Sequence, residues 1–174
     1  VLALCAWTAS AQNVTEPSLK AAFTYNFAKF TGWPLTVLPA TSSLTVCVVG
    51  DSSVFQALRR TVKDRQLLGH DVDVVEAQPQ GPLRACHVLY VSGLEPAQVA
   101  GMLAGIKGIP VLTVSDSDDF AKQGGIVQIF VENGRMRFDF NLQAARTSGL
   151  QPSWKVLALA AHVLDPTRVA FGRN

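Results

Sequence analysis

Residues 124–145, GGIVQIFVENGRMRFDFNLQAA, decide the fold. Two apolar-rich runs, 126–131 and 136–140, flank Asn133-Gly134. That dipeptide predicts a type I′ hairpin, because both residues tolerate the positive φ the turn demands. Along the second run Met136, Phe138 and Phe140 alternate with Arg135, Arg137 and Asp139. One face of the ribbon is therefore apolar and the other charged. Asn141 is placed to cap a helix that begins at Leu142. An apolar ribbon face needs a layer to pack on, and the preceding chain must supply it.

Working upstream, the runs 44–49 (LTVCVV), 72–76, 87–92 (HVLYVS) and 110–114 (PVLTV) read as strands. They are rich in β-branched residues and apolar with little alternation, as in parallel strands covered on both faces. Helices fall between them. Leu19, Phe23, Phe27 and Phe30 make one helical stripe, ended by Gly32 as C-cap and by Pro34. Asp51 or Ser52 caps a helix carrying Val54, Phe55, Leu58 and Val62, and 95–107 has helical composition. A short helix around Phe120 follows the acidic run 115–119. Downstream, 142–148 ends at Gly149, and a last helix over 153–164 places Trp154, Leu157, Ala161 and Leu164 on one side. Strands alternating with helices and closed by a hairpin predict an α/β fold. It is a three-layer sandwich, a mostly parallel sheet flanked by helices with a C-terminal antiparallel hairpin at the edge.

The composition is globular, with 48% apolar and 16% charged residues. A net charge of +2 and scattered Lys and Arg give no electrostatic footprint for nucleic acid. Residues 1–12, VLALCAWTASAQ, read as the remnant of a signal peptide: apolar, uncharged, and ending in the small-x-small pattern Ala9-Ser10-Ala11. A buried N-terminal strand is the alternative. Residues 13–174 then form a single domain of an exported protein. No later stretch reaches the about 18 apolar residues of a membrane span. Past the leader two cysteines remain, Cys47 and Cys86. An even count in an exported chain favours a disulfide, and two separately buried thiols are the alternative.

The residues that could carry chemistry do not assemble. Neighbours in a strand point to opposite faces, so His87 is badly placed to activate Cys86. The run Ser115-Asp116-Ser117-Asp118-Asp119 lacks the glycine and distal glutamate of a calcium loop, and suits the N-terminus of a helix. His70, His87 and His162 match no zinc spacing. Gly50-Asp51 closes a strand without the glycines of a nucleotide fingerprint, and no GxSxG elbow occurs. No catalytic, metal or cofactor residue is assigned, and a binding or regulatory protein is the expectation. The charged hairpin face is the remaining candidate. It is either a partner surface or a charged guard against edge-to-edge aggregation.

Five stretches taken together resemble the YfiR family in order and spacing: KAAFTYNFAKFTGWP (20–34), LTVCVVGD (44–51), ACHVLYVS (85–92), PVLTVSD (110–116) and GGIVQIFVENGRMRFDFNLQAARTSGL (124–150). The resemblance spans residues 19–164. It implies a periplasmic repressor with no enzymatic activity and no cofactor. Such a protein binds the periplasmic sensor region of a membrane-bound diguanylate cyclase, which restrains cyclic-di-GMP signalling and biofilm formation. An OmpA-like outer-membrane lipoprotein sequesters the repressor, and the family is often dimeric. Relatives also sit beside sensor kinases and other receptors, so a sensor kinase is the alternative partner the resemblance allows. The family's cysteine pair falls on Cys47 and Cys86, which implies that these two are bonded. A second pair known in the family has no counterpart here. On this reading Arg135, Arg137 and Asp139, with Asn141 and Arg146, contribute to the partner surface. The competing expectation is a periplasmic small-molecule binding module, with a cleft at the strand ends near Gly50-Asp51 and Ser115-Asp116.

Overall fold

A computed structural model describes residues 15–165, so the leader reading of residues 1–12 lies outside it. Helix α1 (Glu16–Lys29) takes Pro17 in its first turn, where a missing N–H removes no helical bond. The short strand β1 (Thr31–Gly32) follows, then β2 (Leu44–Val49). The Asp51 carboxylate accepts from the Ser53 and Val54 amides and so starts α2 (Ser52–Val62). Next come β3 (Val72–Glu76), a 3-10 turn at Leu83–Ala85, and β4 (Val88–Val91). Helix α3 (Pro96–Gly105) opens on a capping box between Glu95 and Gln98 and leads to β5 (Leu112–Ser115). The hairpin is β6 (Val127–Glu132) and β7 (Arg135–Asn141). The chain closes with α4 (Leu142–Thr147), β8 (Gln151–Pro152), α5 (Trp154–Leu159) and β9 (His162–Leu164).

Among the described residues seven strands form one sheet in the order β3-β2-β4-β5-β6-β7-β9, and β1 pairs with β8 in a second, antiparallel ladder. All neighbours in the large sheet are parallel except β6 and β7. The sandwich the sequence predicts is the one observed. Alternation along the strands explains its layers. Val46, Val48, Val88, Tyr90, Leu112 and Val114 pack on one side with α1 and α2, while Cys47, Val49, Leu89 and Val91 meet α3 on the other. The disulfide joins Cys47 to Cys86 across β2 and the start of β4, with Cα atoms 5.8 Å apart and both residues buried. From β2 the chain steps outward to β3 and then back across to β4, so the sheet reverses its winding between those two strands. There Gly50, at φ +84°, lies so close to the Ser92 carbonyl that a Cβ would overlap it.

Four local readings are corrected. The phenylalanine stripe of α1 is not its innermost line: Ala21, Thr24, Phe27 and Ala28 are buried, while Phe23 and Phe30 are half-buried and Leu19 is exposed. Small residues at three- and four-residue spacing let α1 approach the sheet and α2 closely, and the rings are displaced to its flank. Gly32 does not cap that helix; Phe30 does, and Gly32 pairs with Gln151. The short helix around Phe120 is instead a run of turns, with Asp119 at φ +57° and Phe120 fully buried. The last helix stops at Leu159, because Ala160 turns extended and the chain enters β9. Val156 is its buried residue, and Trp154 is 73% exposed.

Candidate functional site

The carboxyl ends of β2, β4 and β5 are where parallel sheets of this winding usually take ligands. Here α1, which packs on the sheet face, sends one side chain to that end, just past β5. Its Lys20 Nζ lies 2.6 Å from Asp116 Oδ2 and 2.6 Å from Glu16 Oε1, with the Lys20 side chain 13% exposed. Burial alone would lower the Lys20 pKa, but hydrogen bonds and charge from Asp116 and Glu16 outweigh it and the net shift is upward. The Tyr90 hydroxyl is buried beside Asp116 and Ser92, with no hydrogen bond of good geometry to either among the described residues. Burial, then the carboxylates of Asp116 and Asp51, push its pKa up. The acidic run divides its charges: Asp116 holds Lys20 and Asp119 holds Lys122 at 2.6 Å. Among the described residues no group of three or more His, Cys, Asp or Glu stands ready to hold a metal ion.

The Cys86-His87 pair is spent on structure. Cys86 is in the disulfide, and His87 Nδ1 accepts the Thr45 amide at 2.9 Å. An accepting Nδ1 leaves the proton on Nε2, which donates to the Val37 carbonyl at 3.3 Å.

The hairpin forms as its sequence dictates. Asn133 and Gly134 sit at φ 51° and 72°, and the register sets Glu132 opposite Arg135 and Phe130 opposite Arg137. Phe138 turns inward, its ring 4.7 Å from that of Phe27 and 6.2 Å from that of Phe23. The opposite face therefore carries Arg135, Arg137, Asp139 and Asn141. Arg137 reaches Glu132 at 3.3 Å, Asp139 holds His162 at 2.8 Å, and Arg146 meets Asp165 at 3.2 Å. Arg135 is exposed beside the turn. Asn141 is committed at both ends of its amide: Oδ1 accepts from Ala144 N at 2.8 Å as the α4 cap, and Nδ2 donates to the Ala121 carbonyl at 2.7 Å. Four of the five predicted residues thus present charge, and the fifth locks the junction that positions them.

Sequence reasoning missed the apolar surface beside this face. An opening of about 410 Å³ is lined by Phe23, Phe27, Phe30, Met136, Phe138 and Leu159, with Arg137 at its rim. Leu159 is 71% exposed. β9 pairs β7 only from Asp139 to Asn141, and Ala161 N takes the Phe138 carbonyl. The outer edge of β7 ahead of Phe138 therefore has no strand partner among the described residues. The available signal was the half-turn offset between the phenylalanine stripe and the small-residue line of α1.

The winding, with helices on both faces of a mostly parallel sheet, defines a doubly wound α/β domain, and among the described residues it carries a strand edge without a partner and an apolar opening beside a charged face. The model of the YfiR/HmsC-like family matches residues 17–161, and the chain belongs to that family. Its fold is similar to a crystal structure of a conserved domain protein from Vibrio cholerae O1 biovar eltor, with a TM-score of 0.59 at 12% identity, covering 85% of this chain and 60% of that one. That likeness concerns the fold alone, and the chain spans about 60% of that protein's length. Comparison with curated proteins gives no match. No helix among the described residues is long and apolar enough to cross a membrane.

Proposed function

We propose that this chain is an exported periplasmic regulator that binds the periplasmic sensor region of a membrane diguanylate cyclase and holds that enzyme down. Membership of the YfiR/HmsC-like family over residues 17–161 carries the reading. A repressor of this kind needs no chemistry of its own. It needs higher affinity for the silent conformation of its partner than for the active one.

The proposed contact surface is the Arg135, Arg137, Asp139 and Arg146 face with the adjoining apolar opening, positioned by the Asn141 cap. Two features support it. Aromatic anchors beside an Arg are the usual composition of an interface centre. The β7 edge ahead of Phe138, which has no strand partner among the described residues, can also accept a strand from the partner. Release by an OmpA-like outer-membrane lipoprotein, competing for an overlapping surface, and assembly as a homodimer belong to the same proposal.

The test is cellular. Deleting the gene in its host should raise cyclic-di-GMP. The wild-type gene should restore the low level, and the Arg137→Glu allele should not. Unchanged cyclic-di-GMP on deletion would overturn the proposal.

A further inference from the structure

We propose that the cleft between α3 and α4 binds a small organic acid with an apolar body. This is a different place from the carboxyl ends of β2, β4 and β5, and it lies on the sheet face that meets α3. The cleft holds about 430 Å³, inside the range of roughly 300–1,000 Å³ usual for small-molecule sites. Its lining includes Thr113 of β5 and Ile126 just ahead of β6, with Leu103 and Ala104 from α3 and Ala144 from α4.

Two observations select the ligand. The first is a buried donor. Thr113 is 3% exposed, and its Oγ1 accepts the Ile126 amide at 2.8 Å. Its own hydroxyl proton has no acceptor among the described residues, and a buried donor without an acceptor favours a ligand that brings one. The second is charge. Lys107 lines the cleft, and no carboxylate does. Lys107 is exposed and makes no ion pair among the described residues. Elsewhere in the lining Leu103, Ile126 and Ala144 present hydrocarbon, and Gln123, Gln143 and Ser148 add neutral polar groups. An acceptor for Thr113, an anion for Lys107 and an apolar body for the walls describe a carboxylate on a short aliphatic or aromatic chain. A neutral amide of the same shape keeps the acceptor and the body but loses the charge.

The experiment titrates the oxidised, ¹⁵N-labelled chain with hexanoate and with phenylacetate, following amide shifts. Saturable shifts centred on Thr113, Ile126 and Ala144 are expected with at least one acid. The matching amide should bind about fivefold or more weakly, since loss of a charge-assisted contact costs that much or more. Lys107→Gln should weaken the acid to the same degree and leave the amide unchanged. Ala104→Trp, at an exposed helical position on the cleft wall, should abolish saturation. Three results would overturn the site: no saturable shift with either acid up to about 10 mM, shifts centred elsewhere, or equal affinity for acid and amide. Because Lys107→Gln alters only an exposed side chain, it keeps the test decisive if Ala104→Trp misfolds.

Discussion

Tyr90 sits in the α1-facing core with a hydroxyl that makes no hydrogen bond of good geometry among the described residues, near a lysine held by two carboxylates. Both groups keep their protons to higher pH in the folded chain than in the unfolded one. The stability they supply is therefore complete below their ordinary values of 10.0 for tyrosine and 10.5 for lysine. It is lost as pH rises through the higher folded values. Urea titrations from pH 8 to 11.5 should show unfolding free energy falling above pH 10, and Tyr90→Phe should flatten part of that fall. At pH 7 the same substitution removes an unbonded polar atom without changing packing, so stability should hold or rise by up to about 1 kcal/mol. A loss beyond about 2 kcal/mol would show that the hydroxyl is bonded in solution.

Among the elements, the hairpin and the helix after it depend on Asn141 more than on any charged neighbour. Its side chain both caps α4 and ties β7 to the Ala121 carbonyl. Asn141→Ala should cost about 0.5–2 kcal/mol, the usual range for a lost cap, measurable as a lower urea midpoint with an unchanged slope. Arg137→Glu should cost far less, because the pair it breaks with Glu132 is nearly half exposed on both sides. Elements of this kind were legible in the sequence because their causes are local: Asn133-Gly134 sets the turn, alternation sets the faces, and Asn141 sets the cap. The end of the chain was not legible for the opposite reason. Helix periodicity continued past Ala160, but pairing with β7, twenty-odd residues upstream, pulls residues 162–164 into a strand. The turns around Phe120 were hidden in the same way, since burial of that ring decides the loop and no local pattern announces it.

At the scale of the whole molecule, the disulfide and the candidate surface both join segments distant in sequence. Cys47 and Cys86 close a separation of 39 residues and lie in the cluster with Val49, Leu89, Met102 and Ile106. Replacing both with serine should lower unfolding free energy by about 4 kcal/mol on chain entropy alone. The urea midpoint of the double variant against the oxidised wild type checks this. The charged half of the candidate site could be read from one strand, but its apolar half could not. Phe23 and Phe30, Met136 and Phe138, and Leu159 come from three elements, and only the fold brings them to one opening.

The most direct measurement is a binding isotherm between the oxidised chain and the purified periplasmic sensor region of a membrane diguanylate cyclase from the same host. The proposed function requires saturable binding with a Kd in the micromolar range or tighter, weakened at least about tenfold by Arg137→Glu while the unfolding midpoint stays in place. Absence of saturable binding, or identical isotherms for wild type and variant, would contradict it.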